Sequence, residues 1–206
     1  MSTRDRILDA AAQVMRSHGL AKATTKEIAK AAGFSEAALY KHFRDKTDMF
    51  LAVLEERMPS GLATLMAGLQ KRVGEDPVED VLVEFAHAAI AFYGQTFPIA
   101  ASLFSDPHLL TAHRDVVHDR GKGPRHVGDL LTAYLEAEQR GGRISAEADP
   151  RAAADLLLGA CLQHGFLSNF DQRYDDEPTR RKLAETWVRT LLEGSGASRA
   201  RVEPRP

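Results

Sequence analysis

The sequence predicts an all-α protein in which a small N-terminal three-helix unit joins a larger helical domain. Apolar residues recur at spacings of three and four along most of the 206 residues, as on one face of a helix. Alanine, leucine, glutamate and arginine are abundant, and all four favour helices. Capping residues, Asp-Pro steps and glycines divide the chain into helix-length segments, with no alternation of strands and helices.

Composition limits the class of protein. The chain is 44% hydrophobic and 27% charged, in the range of soluble globular proteins, and it contains no uninterrupted apolar run of about 18 residues. We therefore expect no membrane partner. Cys161 is the only cysteine, which excludes an internal disulfide and fits a reducing cytoplasm. Residues 1–50 carry nine Lys/Arg and six Asp/Glu, so the excess positive charge that could face phosphates lies at the N-terminus.

The first two helices have clear start and stop residues. Thr3 can cap a first helix that ends near Gly19, because glycine favours helix termination. Thr24 with Glu27 three residues later forms a capping-box pattern for a second helix, which Gly33 ends after about two turns. Two short helices joined by a glycine turn are therefore expected.

The third and fourth helices follow directly. Ser35 can cap a third helix over residues 36–43, and Asp45 with Asp48 repeats the capping pattern for a fourth. We expect a kink or break near residues 58–61, because Pro59 removes a helix hydrogen bond. The predicted domains are residues 1–48, residues 49–193 and a disordered, Gly/Ser/Arg/Pro-rich tail, residues 194–206.

The larger domain is punctuated by proline and glycine. Asp-Pro steps at 76, 106 and 149 each predict an N-cap followed by proline at the first helical position. One helix is expected to end before Pro98 and another at Gly141-Gly142. The last two helices are predicted over about residues 150–169 and 178–192, both with broad apolar faces.

The segment TTKEIAKAAGFSEAALYKHFRDK has the layout of a helix-turn-helix, whose second helix can enter a DNA major groove. The small Ala29 lets the two helices cross closely, and Ile28, Leu39 and Phe43 can hold them together. This run resembles the DNA-binding domain of the TetR/AcrR family of bacterial transcription regulators, over about residues 4–50. The helical remainder fits the family's ligand-binding and dimerising domain in length and layout.

The resemblance implies a homodimer that grips a palindromic operator and is released by a small-molecule inducer, in other words a cytoplasmic repressor with no cofactor. It implies that Thr24 or Thr25, together with Tyr40 and Lys46, holds phosphates. The predicted DNA-contacting set is Thr24, Thr25, Ser35, Glu36, Ala37, Ala38, Tyr40, Lys41, His42 and Lys46. Alanine can meet a thymine methyl group, lysine can reach guanine, and glutamate can accept from cytosine. Glu36 can instead pair with the helix dipole, and His42 can contact phosphate or pack.

Two further surfaces are predicted in the larger domain. An apolar cavity for an unknown small-molecule effector is expected among Phe85, His87, Phe92, Tyr93, Phe97, Phe104, Tyr134 and Phe166, although each aromatic residue alone is more often plain core. The homodimer is expected to form through about residues 150–192, in a four-helix arrangement centred on Leu156, Leu183, Trp187 and Leu191.

The sequence offers little for catalysis or metal binding. His108, His113 and His118 are five residues apart and so do not share a helix face, and Cys161 with His164 supplies only half a zinc site, so no metal is expected. No G-x-S-x-G, Walker or G-x-G-x-x-G pattern is present, and we expect no enzyme. The alternative is a small helical enzyme or scaffold that keeps the fold without binding an operator.

Overall fold

The computed structural model describes residues 1–57, 60–119 and 123–194, and within these residues the chain is helical without strands. No helix in this part is long and apolar enough to cross a membrane. The helices are α1 (Thr3–Lys22), α2 (Thr25–Ala32), α3 (Glu36–Leu39), α4 (Lys46–Glu56), α5 (Ser60–Gly68), a 3-10 turn (Leu69–Arg72), α6 (Val78–Leu103), α7 (Pro107–Asp119), α8 (Pro124–Arg140), α9 (Pro150–Asp171) and α10 (Glu177–Glu193).

The cap and the end of α1 fall on other residues than predicted, whereas the predicted fourth helix ends at Glu56 and α5 begins at Ser60, beside the expected kink or break at residues 58–61. The predicted fourth helix is divided into α4 and α5, while Pro59 itself lies outside the described residues, as does the predicted tail from residue 195 onward. At the start of α1, Ser2 rather than Thr3 accepts the capping hydrogen bond, from the Asp5 N–H at 3.1 Å. Gly19 leaves the helical region, with φ 72°, where α1 was predicted to end, but helical structure resumes and reaches Lys22.

Helices α2 and α3 form the predicted pair around a glycine turn. Thr24 and Glu27 make the predicted capping box, and Gly33 ends α2 in the left-handed conformation, with φ 73°. The prediction of a third helix over residues 36–43 is wrong in length, because α3 ends at Leu39. The N–H groups of His42 and Phe43 both donate to the Leu39 carbonyl, so the hydrogen-bond ladder turns instead of continuing.

The first hydrophobic core lies under the helix-turn-helix. It joins buried residues of α1 to α4, among them Ile7, Met15, Ile28, Leu39, Phe50 and Val53. It also contains Ile99 and Leu103 from the end of α6, and Leu109 from α7. The N-terminal unit is therefore packed directly onto the last turns of α6.

Helix α6 continues through Pro98, so the prediction that it ends before this proline is wrong. Proline lacks the N–H that would bond to the carbonyl four residues earlier, which here is that of Gly94. The side-chain amide of Asn169 on α9 donates to the Gly94 carbonyl instead, at 2.9 Å. A distant side chain thus replaces the missing bond and lets one helix span both halves of the protein.

The Asp-Pro steps behave differently from one another. Asp106 and Asp149 cap α7 and α9 as predicted, accepting from the N–H groups of Leu109 and Ala152 at 3.0 Å. Asp76 does not cap α6, because its carboxylate accepts from Arg72 Nε at 2.5 Å. The Asp76 carboxylate, which was predicted to cap α6, therefore binds Arg72 of the 3-10 turn instead.

A second core fills the larger domain, where α6 packs against α9 and α10, and α8 packs against α9. Helices α6 and α9 lie close together at Gly165, where an added Cβ would lie 2.9 Å from the Tyr93 backbone carbon. Immediately beside this crossing lie Gly94 and Asn169, the pair that compensates for Pro98. The crossing fixes the geometry of the cavity described below.

Candidate functional site

The outer face of the helix-turn-helix is open to solvent. Leu39 and Phe43 point into the first core, which turns the neighbouring side chains outward. Ser35, Glu36, Ala37, Tyr40, Lys41 and His42 are exposed, and Ala38 is half-buried. All seven were predicted to contact DNA, and the fold presents them around one short helix.

The start of α2 faces the start of α3. The Thr25 hydroxyl donates to Glu36 Oε2 at 2.7 Å, which joins two predicted contact residues from different helices. The neighbouring Thr24 is exposed and engaged in its cap, where Oγ1 accepts from the Glu27 N–H at 3.2 Å. Hydrogen bonds from Thr24 also hold the pKa of Glu27 below its usual value, so this cap carries a negative charge.

The glycine turn is braced from α1. Arg6 donates from Nη2 to the Ala32 carbonyl at 3.2 Å, and its guanidinium lies 4.6 Å from the centre of the Phe34 ring. Because Gly33 adopts φ 73°, the chain reverses between Ala32 and Phe34 within two residues. The orientation of α3 is therefore set by α1 as well as by the turn itself.

A basic group lies at the start of α4. Lys46 is half-buried, with Nζ 5.0 Å from the centre of the Phe50 ring, so the aromatic ring supports its ammonium group. The Arg44 side chain is 85% exposed, and its one ion-pair contact within the described residues is a long one of 3.8 Å with Asp48. The prediction omitted Arg44, although a basic residue between His42 and Lys46 could have indicated it.

A cavity of about 370 Å³ lies where α6, α9, the α9–α10 loop and α1 meet. Its apolar wall is α6, with Ile90, Ala91 and Pro98. Its polar side chains come from four places in the chain: Arg16 on α1, Gln95 on α6, His164, Ser168 and Asn169 on α9, and Tyr174, Asp175 and Arg180 beyond it. The volume is within the range of small-molecule sites.

Most acceptors around this cavity are already engaged. His164 Nε2 lies 2.7 Å from Asp175 Oδ2, and the Tyr174 hydroxyl donates to Asn169 Oδ1 at 3.2 Å. Arg180 donates from Nη1 to the Asp175 carbonyl at 2.5 Å, while its buried Nε has no partner in the described part of the chain. Apart from the side-chain amide of Gln95, which has both a donor and an acceptor, the cavity therefore retains mainly the guanidinium donors of Arg16 and Arg180.

The eight residues predicted to line a ligand cavity are dispersed, and none of them lines this one. Phe85 and Tyr134 are fully buried, and Phe92 and Tyr93 pack against the second core. His87 Nε2 lies 3.7 Å from a carboxylate oxygen of Glu177, and Phe104 is 73% exposed. Phe97 and Phe166 stack edge to face, 5.4 Å apart, in a more open groove nearby, which Arg16 also lines.

The aromatic residues did not identify the cavity because its specific groups are polar. Ser168 and Asn169 sit together near the end of α9, ahead of the Tyr-Asp pair at 174–175, and this polar cluster was the available sequence signal. Arg16 had no such signal, since it is 148 positions or more from the α9 residues that it joins.

The predicted dimer residues occupy two kinds of position. Leu183, Trp187 and Leu191 on α10 are partly buried against the second core of their own chain, whereas Leu156 on α9 is 67% exposed. Helix α9 exposes further large apolar side chains, namely Leu162, Phe166, Leu167 and Phe170. An uncovered apolar face therefore runs along α9.

Residues considered for metal binding or catalysis are not assembled into a site. Within residues 1–57, 60–119 and 123–194, no group of three His, Cys, Asp or Glu side chains is placed to hold a metal ion. Burial raises the pKa of Cys161 to about 12, so its thiol stays protonated at neutral pH and is a poor nucleophile.

Comparison with known proteins agrees with this arrangement. Residues 7–53 match the family model for bacterial regulatory proteins of the tetR family. The chain is 28% identical over 172 residues to the HTH-type transcriptional repressor BepR of Brucella suis biovar 1, covering 82% of this chain and 80% of that protein.

Solved structures share the fold over nearly the whole chain. A TetR-family regulator from Mesorhizobium loti superposes with a TM-score of 0.71 at 20% identity, covering 93% of this chain and 95% of the other. The regulator FadR from Bacillus subtilis, solved in complex with stearoyl-CoA, gives a TM-score of 0.66 at 19% identity, covering 94% and 99%. The N-terminal helix-turn-helix unit therefore matches the tetR family of bacterial regulatory proteins, and the chain as a whole shares the fold of TetR-family regulators.

Proposed function

We propose that this regulator is a repressor, that it binds a palindromic operator as a homodimer, and that a small-molecule inducer releases it. The observation that carries the proposal is the solvent-exposed face of α3, flanked by Lys41 and Lys46, on a unit packed directly onto the ligand-binding domain. The relative BepR is named as a transcriptional repressor, which supports repression rather than activation. The protein acts by binding, without catalysis, on DNA in the cytoplasm.

The contacts on DNA divide into two groups. Thr24, Thr25, Tyr40, His42 and Lys46 hold phosphates and fix the position of the protein. The residues that read base edges are Glu36, Ala37, Ala38 and Lys41, and Ser35 contacts DNA beside them at the start of α3. We assign the DNA-binding domain to residues 1–48 and the ligand-binding and dimerisation domain to residues 49–193.

Thr25 and Glu36 connect these two groups. Their hydrogen bond of 2.7 Å holds the Glu36 carboxylate towards the start of α2 in the free protein. A carboxylate close to phosphates is repelled unless it finds a donor, and cytosine N4 is such a donor. Glu36 therefore weakens non-specific binding, and at the operator its carboxylate accepts a hydrogen bond from cytosine N4.

The homodimer forms through α9 and α10. Leu156, Phe166 and Phe170 give α9 an exposed apolar face, and a second copy of the same face covers it around a twofold axis. The two α3 helices must then stand about 34 to 36 Å apart, or a multiple of this, to reach successive turns of one DNA face. A change in this distance is sufficient to weaken operator binding.

The inducer binds within the larger domain and favours a spacing that does not fit the operator. The fold-sharing FadR from Bacillus subtilis was solved with stearoyl-CoA, which supports a small-molecule site in this architecture. A coupling of about 1 to 3 kcal/mol between the two sites corresponds to about 5- to 150-fold weaker operator binding. Among the aromatic residues predicted to line a ligand site, Phe97 is the candidate for an apolar contact, because it lines the groove that Arg16 and Pro98 also line.

The test is direct binding to DNA that flanks the protein's own coding region, by fluorescence anisotropy at two salt concentrations. We expect one fragment to bind far more tightly than random DNA of equal length, with affinity falling as salt rises. A reporter gene placed behind this fragment should be repressed. Binding to no fragment better than to random DNA would reject the proposal.

A further inference from the structure

We propose that the cavity at the junction of α1, α6 and α9 binds a small organic anion, with an acidic group at Arg16 and Arg180 and an apolar body against α6. This inference rests on the proposed function, since it names the chemical class of the inducer. Arg16 belongs to α1 of the N-terminal unit, whereas Arg180 lies in the first turn of α10 in the larger domain. The ligand would therefore touch both halves of the protein at once.

The balance of charge favours an anion. Two arginines line the cavity against one carboxylate, that of Asp175, and this carboxylate is already paired with His164 at 2.7 Å. Arg16 is exposed and has no hydrogen bond or ion pair to any residue in the described ranges. An anionic group is the partner that a guanidinium binds best, through two parallel hydrogen bonds.

The balance of hydrogen bonds points the same way. The Asn169 side-chain NH₂ donates to the Gly94 and Gly165 carbonyls, at 2.9 and 2.8 Å, and its oxygen accepts from the Tyr174 hydroxyl. Arg180 uses only Nη1 within the described residues, so further donors of its guanidinium are unused. A cationic or donor-rich ligand would find few free acceptors here and would face two positive charges.

The remaining wall selects an apolar body. Ile90, Ala91 and Pro98 line the α6 side of the cavity, and the absence of a side chain at Gly94 keeps this wall flat. A volume of about 370 Å³ holds a compact ligand. A ligand with a carboxylate and a short aliphatic or aromatic group therefore fits this cavity, with the carboxylate at the arginines and the apolar group against α6.

The position of Arg16 links the ligand to DNA binding. Met15, its neighbour on α1, is buried in the first core with Leu39 of α3, so a displacement of this part of α1 is passed to the helix-turn-helix. The cavity also borders Pro98, where α6 leaves the second core and enters the first. An acid held between Arg16 and Arg180 would fix the angle between the two cores.

Two matched sets of probes test the ligand class. Phenylacetate, phenylacetamide and phenethylamine share a body but are anionic, neutral and cationic, and hexanoate, hexanamide and hexylamine repeat the comparison with an aliphatic chain. Titration calorimetry on the full-length protein should show each carboxylate binding at least about tenfold more tightly than its amide, because hydrogen bonds to charged groups are the stronger ones. Equal binding of acid and amide, preferred binding of the amine, or no binding of either acid would overturn the proposal.

Variants then locate the site. Arg16→Gln should remove the preference for the acid, while Arg16→Lys should keep part of it. Arg173→Gln is the matched control, since Arg173 is an exposed arginine on the neighbouring loop that does not line the cavity, and its loss changes the net charge equally. A preference that survives Arg16→Gln, or that is lost equally in the control, would contradict the assigned site.

DNA binding by the ligand-free protein separates this inference from the function on which it rests. A protein that binds its fragment but shows no preference for acids would retain the proposed function and lose the anion site. A protein that prefers acids through Arg16 but binds no fragment would retain the anion site and lose the proposed function. If both hold, saturating phenylacetate should weaken fragment binding in wild type and not in Arg16→Gln.

Discussion

Asn169→Ala tests the bond that allows α6 to run through Pro98. The variant removes the donor to the Gly94 carbonyl, and since residue 98 is proline, no backbone N–H can replace it. The same substitution also removes the donor to Gly165 and the acceptor for the Tyr174 hydroxyl. The carbonyl of Gly94 is the one left without a helical partner, so we expect it to dominate the cost.

The magnitude follows from the burial of the bond. An unsatisfied buried acceptor costs about 1 to 3 kcal/mol, and Asn169 and Gly94 are half-buried, so water can compensate in part. We therefore expect the free energy of unfolding to fall by about 1 to 2 kcal/mol. For a chain of this size, each kcal/mol lowers the melting temperature by about 2 to 4 °C, which gives about 2 to 8 °C in total.

A double-mutant cycle isolates the contribution of the proline. Pro98→Ala restores an N–H that can donate to the Gly94 carbonyl, so Asn169→Ala should cost less in that background. The coupling between the two substitutions should be about 1 kcal/mol, within the range for residues that share one partner. The assay is urea unfolding followed by circular dichroism at one fixed protein concentration, because dimerisation makes stability depend on concentration. Additive effects within about 0.3 kcal/mol would refute the reasoning.

Three further predictions concern the DNA-binding face and the cores. Lys46→Ala should weaken binding to all DNA sequences alike and reduce the salt slope by about 0.9 for each phosphate that the lysine no longer neutralises. Lys41→Ala should instead change the base preference. Equal effects of the two variants in a salt-titrated anisotropy series would contradict these separate roles. Gly33→Ala should lower the free energy of unfolding by about 1 to 2 kcal/mol, because alanine is strained at a φ of 73°. A steric clash adds nothing to this cost, since the nearest atom to an added Cβ, Arg6 Nη2, is 3.6 Å away. An unchanged melting temperature would show that the turn relaxes without strain. Burial by itself would raise the pKa of Glu138, but the hydrogen bonds from Arg143, the Gly74 N–H and the positive charge of Arg143 together outweigh it and hold this pKa below the ordinary 4.5. The contribution of Glu138 to stability is therefore full above pH 4.5 and is lost as the pH falls through the folded pKa. Glu138→Gln should therefore cost about 1.5 to 3 kcal/mol at pH 7 and flatten the loss of stability in acid, and an unaltered acid limb in unfolding curves would contradict this.

Local chemistry explains what the sequence predicted well. The capping box of Thr24 and Glu27, the glycine turn at Gly33 and the aspartate caps at 106 and 149 each depend on residues within three or four positions. The same short-range pattern also determined which side chains of α3 face outward. The helix-turn-helix could therefore be derived from one stretch of chain.

Long-range compensation explains what the sequence could not predict. Pro98 has every local property of a helix end, and the residue that overrides it, Asn169, is 75 positions away from the carbonyl that it satisfies. Asp76 has the pattern of a cap but is taken by Arg72. The cavity is of the same kind, because its lining residues on α1, α6 and the end of α9 are far apart in the sequence.

The central claim is that two copies of the exposed α3 face bind one DNA duplex. Hydroxyl-radical footprinting of the tightest-binding fragment measures this directly. We expect two protected patches on one face of the duplex, separated by about 10 base pairs or a multiple of one helical turn, and both abolished by Lys46→Ala at elevated salt. A single isolated patch, or protection that does not depend on the helix-turn-helix, would contradict it.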